Sequence, residues 1–74
     1  MTLAQKLIEI LRDLDKEEAK AIGMAVGKRT HMIGAVIDRW LKRFPDDNLN
    51  QAIADAQSLG AISIDNPTTM IALK

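Results

Sequence analysis

Seven side chains in one stretch, Lys28, Arg29, Thr30, His31, Arg39, Lys42 and Arg43, are of the types that contact nucleic acid. An arginine guanidinium forks onto the O6 and N7 of guanine, and a lysine or hydroxyl at a helix N-terminus holds phosphate. Arg29 is the strong base reader of the set. Thr30 and His31 stand beside it, and Lys28 or Thr30 suits phosphate. Arg39, Lys42 and Arg43 follow about one to three helical turns later and suit the sugar-phosphate backbone. Asp38, in the middle of the stretch, repels phosphate.

The distribution of charge tells more than its zero total. Residues 28–44 carry five positive groups and one negative, a net of +4. Residues 1–27 carry four against five, a net of −1, and residues 45–74 carry one against four, a net of −3. Indiscriminate polyanion binding usually goes with a much larger basic excess, so this distribution argues against it. A basic helix would also suit an acidic protein surface, and the acidic 46–65 region would suit a mimic of nucleic-acid charge.

Other site chemistry finds no support. There is no cysteine, so a thiolate metal site is excluded, and His31, the sole histidine, has no second His or Cys to complete a zinc site and reads as a surface or capping residue. Asp46, Asp47 and Asp55 lack calcium-loop spacing, and helix capping accounts for the first two. There is no Ser–His–Asp or Cys–His arrangement, glycine-rich phosphate loop or HExxH-type motif, so the expectation is a non-enzymatic domain without a cofactor. Met24, Met32 and Met70 are adaptable side chains favoured at protein interfaces. Met32, if it stands outside beside His31 and Arg39, would suit a partner-protein or homodimer patch.

The elements that must position these residues follow from periodicity. Thr2 with Gln5 matches a capping box, and Leu3, Leu7, Ile10, Leu11 and Leu14 form one apolar helical stripe. Asp15 with Glu18 matches a second capping box and predicts a new helix, with Gly23 packed inside it and Gly27 as its left-handed stop. Thr30 is the predicted N-cap of a third helix, whose core stripe is Ile33, Val36, Ile37, Trp40, Leu41 and Phe44, ended by Pro45. Asp47 or Asn48 caps a fourth, with Leu49, Ile53, Ala56 and Leu59 inward and Gly60 closing it. After Gly60 the period changes to two, and "AISI" and "TMIALK" predict a hairpin turning at Asp65-Asn66-Pro67-Thr68. The expected fold is mainly α: four short helices followed by a C-terminal two-stranded β-hairpin, in a single domain spanning residues 1–74.

Residues 16–41 resemble a helix-turn-helix, with Gly23, Gly27, Thr30, Ile33 and Val36 at that family's spacing. Lys28 departs from it, standing where the family buries an aliphatic residue. With the hairpin, the outline is similar to winged-helix domains, although the helix over 49–59 is additional to the simplest version. The resemblance implies that the N-terminal part of the third helix enters the major groove, with Arg29, Thr30, His31, Gly34, Ala35 and Asp38 exposed there. It therefore implies a small DNA-binding transcriptional regulator with double-stranded DNA as partner. The wing departs from a DNA-binding pattern, having no Lys or Arg before Lys74. That departure supports the alternative, a protein-interaction module or small inhibitor on the same outline that does not bind DNA. No apolar run approaches the roughly 18–20 residues needed to span a bilayer. Gln5, Lys6 and Glu9 interrupt any signal-peptide core, so the expectation is a cytoplasmic, membrane-free domain.

Overall fold

In the computed structural model, residues 1–65 and 69–74 are described. The chain runs α1 (Leu3–Ile22), β1 (His31–Met32), α2 (Ile33–Arg43), α3 (Leu49–Ser58), β2 (Ile62–Asp65) and β3 (Met70–Leu73). Among the described residues there are thus three helices and a three-stranded sheet, where the sequence predicts four helices and a hairpin.

The missing helix is a merger. Residues 3–22 contain neither Gly nor Pro, so nothing in the backbone interrupts propagation past Leu14. Thr2 caps the start as predicted: Gln5 donates its N–H to the Thr2 hydroxyl and Thr2 donates its N–H to the Gln5 side chain. Asp15 is not a cap. It lies in the buried row Ala4, Leu7, Leu11, Asp15, Ala19, which extends the helical stripe instead of restarting it. The helix ends at Gly23, whose φ of 70° is left-handed and favours glycine, and Met24 donates its N–H back to the Ala19 carbonyl. Gly23 is therefore a terminator and not a close-packing site, for a Cβ there would meet nothing within 4 Å. Gly27 lies in the exposed connection and is not left-handed.

The connection over residues 24–30 is followed by β1, a two-residue strand too short to register as a period. The sheet order is β1-β3-β2, all antiparallel, with His31 opposite Ile71 and Met32 opposite Met70. β2 pairs Ile62 with Leu73 and Ile64 with Ile71. The hairpin strands appear as expected, whereas the predicted turn at Asn66-Pro67-Thr68 lies outside the described residues. Thr30 is not the N-cap of α2: Met32 occupies that position without a side-chain cap, and Ile33 instead donates its N–H to the Thr69 carbonyl beside β3. The sheet thus satisfies one of the N-terminal amides of α2 that lack an intrahelical acceptor. Asn48 caps α3 by accepting from the Gln51 N–H.

The core is aliphatic around one tryptophan: Leu7, Ile10, Leu11, Val36, Trp40, Ile62 and Ile71, with Ala4, Ala52 and Ala56 letting the helices approach. Trp40 packs its ring at 5.2 Å from that of Phe44 and donates its indole N–H to the Asp47 carbonyl, which pins the turn between α2 and α3. The predicted stripe of α2 is too wide. Val36 and Trp40 are buried and Ile33 and Phe44 partly so, but Ile37 is 41% and Leu41 59% exposed. They occupy the next row round the helix, which neither α1 nor the sheet covers.

Candidate functional site

The seven predicted nucleic-acid contacts do not form one surface. His31 is buried, 3% exposed, with its Nε2 2.6 Å from Asp15 Oδ1 in a hydrogen bond. The same carboxylate oxygen accepts the Arg29 backbone N–H at 3.2 Å, and Glu18 Oε1 lies 3.5 Å from His31 Nδ1. His31 therefore does not belong on the surface and does not cap a helix. As an inward residue of β1, it and Asp15 tie the 24–30 connection to the middle of α1. Burying a carboxylate and an imidazole is tolerable here because each is a hydrogen-bonding partner of the other.

Arg39, Lys42 and Arg43 sit on α2 beside carboxylates. Arg39 grips Glu17 with both guanidinium nitrogens, at 2.7 Å and 2.5 Å. Arg43 bridges two acids one turn apart, reaching Asp13 at 2.6 Å and Glu9 at 3.1 Å. Lys42 pairs with Asp38 at 3.3 Å across one turn of α2. The hydrogen bond from Arg39 holds the Glu17 carboxyl below the ordinary glutamate range, and the same bond raises the Arg39 pKa. These cations are held by the protein's own acids and are not poised for phosphate.

Lys28, Arg29 and Thr30 lie in the connection before β1, not at a helix N-terminus. Thr30 is exposed and Arg29 half-buried, with its Nε buried and unpartnered among the described residues. Lys28 is exposed and donates its ammonium to the Lys74 carbonyl. The residues expected to face the groove are thereby dispersed among a connection, a strand and a helix.

A second cationic set escapes the sequence reading. Arg12, Lys16 and Lys20 stand at i, i+4 and i+8 on α1, all exposed, and among the described residues none has an ion-pair partner. The spacing was legible; it is ordinary on an amphipathic helix and so carried no signal. Arg12 and Lys16 flank a shallow cleft with Lys28, the buried Asp15 lies at its base, and its apolar surface comes from Val26 and Leu73. A continuation of the same cleft brings Ile8 and Lys74 alongside Arg12 and Lys28.

Several large apolar side chains are also exposed. Met32 is 67% exposed on the outer face of the sheet, paired across the strands with Met70. Met24 and Val26 in the connection are also exposed. Among the described residues no three His, Cys, Asp or Glu side chains converge as a metal site would require, and no helix is long and apolar enough to cross a membrane. No known protein family, curated protein or solved structure matches this chain.

Proposed function

We propose that this chain is a protein-interaction module with a winged-helix-like outline, one that does not read DNA. The outline rests on the order α–β–α–α–β–β with a β1-β3-β2 sheet. In that arrangement α2 and α3 form the helix pair, displaced from residues 16–41, and α3 is the helix placed to enter a groove. The observation that carries the reading is the charge at that place. The exposed side chains of α3 are Asn50, Gln51, Ala54, Gln57 and Ser58, with no Lys or Arg among them, and Gln51 is bonded to Asp55. Arg39 and Arg43 of α2 are bound to α1 carboxylates and Lys42 to Asp38 of its own helix, while Met32, Ile37 and Leu41 remain open to an apolar partner surface.

The test is a salt-titrated binding measurement on random duplex DNA. No saturable binding at about 50 mM salt is expected. Binding with a steep salt slope, reporting several released counterions, would overturn the reading in favour of a DNA-binding regulator. One observation favours that second reading: of the Lys and Arg without an ion pair among the described residues, all but Lys74, namely Arg12, Lys16, Lys20, Lys28 and Arg29, lie on α1 and the adjoining connection. Arg12→Glu and Lys16→Glu distinguish it, since a regulator acting through this row would lose duplex affinity.

A further inference from the structure

We infer that the cleft between α1 and the 24–30 connection is a docking surface for an acidic amphipathic helix of a partner protein. The inference rests on the protein-interaction reading and names the chemistry of the partner. Three features carry it. First, no cation of the row has an ion-pair partner among the described residues, although Glu9, Asp13 and Glu17 stand three positions before Arg12, Lys16 and Lys20. Arg12, Lys16 and Lys20 repel one another at i, i+4 spacing, an arrangement unfavourable to the helix by a few tenths of a kcal/mol per pair. The acids nearest to it are already engaged: Glu9 and Asp13 with Arg43, Glu17 with Arg39, and Asp15 with His31. Glu18 is directed to the His31 side.

Second, the row has a repeat that a helix can match. Four residues of α-helix rise roughly 6 Å, so carboxylates at i, i+4 and i+8 of a partner helix lying along α1 would meet Arg12, Lys16 and Lys20 in register. Lys28 faces Arg12 and Lys16 from the opposite wall of the cleft and adds a fourth positive charge.

Third, the surface between the cations is largely aliphatic, and the one carboxylate that lines it, Asp15, is buried against His31. Val26 and Leu73 line the cleft and Ile8 extends it. A phosphate backbone has nothing to bury against such a surface. An amphipathic helix does, because the row beside its carboxylates can carry Leu or Ile. Cationic walls with an aliphatic floor therefore fit an acidic peptide better than a nucleic acid.

The experiment uses the full chain and a synthetic peptide of about 15 residues, long enough to hold helix. Its sequence places Glu at i, i+4 and i+8, with Leu in the adjoining row. Fluorescence anisotropy at about 50 mM salt should show saturable binding. Affinity should fall at least about tenfold in an R12E/K16E/K28E variant, and similarly when the peptide glutamates become glutamine. Replacing its leucines by serine should also weaken binding. Circular dichroism and a thermal melt verify that the triple variant is folded, and a milder R12Q/K16Q pair supplies the same comparison if it is not. Absence of saturable binding, equal binding of the glutamine peptide, or indifference to both sets of substitutions would overturn the inference. If neither peptide nor duplex DNA binds, this surface assignment falls while the protein-interaction reading stands. If duplex DNA binds through Arg12, Lys16 and Lys28, both fall.

Discussion

Two rows of charge run along the same helix at the same spacing and meet opposite fates. Glu9, Asp13 and Glu17 recur every four residues, as do Arg12, Lys16 and Lys20. The acidic row faces α2 and is neutralised by Arg39 and Arg43. In the basic row, its neighbour round the helix, Arg12 and Lys16 border the 24–30 connection, which contributes the cations Lys28 and Arg29 and no carboxylate of its own. The first row is structural, joining two helices across their exposed seam. The second has no structural partner and is the one left for another molecule. Spacing and residue type do not separate the two cases; the neighbouring element does.

The comparison can be broken most forcefully at Asp15, the buried carboxylate that fastens the connection beneath the basic row. Asp15→Ala leaves the His31 ring and the Arg29 amide without their acceptor, and should lower unfolding free energy by about 1–3 kcal/mol in urea titration. A loss well under 1 kcal/mol would show that the buried pair does not hold the connection in place. Smaller effects follow from the acidic row. Arg43→Ala releases Glu9 and Asp13 together, and because these groups are about one-third exposed the expected loss is at most about 1 kcal/mol. The deficit should shrink in high salt, as screening weakens the pairs in the parent chain.

Glu17 supplies a pH signature. Its pKa is lowered in the folded state, so the stability it contributes is present above the ordinary glutamate value, near pH 4, and is lost as pH falls through the lowered one. Thermal melts of the parent and Glu17→Gln should therefore differ at neutral pH and converge in acid. The smallest effect has the opposite sign. Lys16→Glu turns the like-charge contacts with Arg12 and Lys20 into opposite-charge ones and the contact with Asp13 into a like-charge one, and the net should be a stability gain of a few tenths of a kcal/mol with weaker binding of the acidic peptide. A stability loss there would reveal a structural partner for the basic row and undo the contrast between the rows.

Much of the scaffold was legible because it depends on local chemistry. The capping box at Thr2, the Pro45 stop, the Asn48 cap and the change of period after Gly60 each act within a few residues, and each element stands where these signals put it. The errors have a common cause. Asp15 with Glu18 fits a cap and equally fits a helix interior, and the choice depends on whether His31 arrives to pair with it. β1 exists only because β3 offers two residues of edge. Ile37 and Leu41 read as core because a helix alone does not disclose how wide a stripe its neighbours will cover. The expected site failed for the same reason: basic residues contiguous in sequence were divided among a connection, a strand and a helix, four of them (His31, Arg39, Lys42 and Arg43) beside carboxylates up to 34 residues away.

By itself the sequence determined a small, mainly helical chain with an aliphatic core, a C-terminal hairpin and a zero net charge unevenly spread. These follow from periodicity, capping and composition, which are local or additive. Only the tertiary structure decided which charges are free. An ion pair requires two side chains brought within a few ångströms, and which partner arrives is a property of helix packing. That packing gave Arg39 and Arg43 to the acids of α1 and left Arg12, Lys16 and Lys20 facing outward.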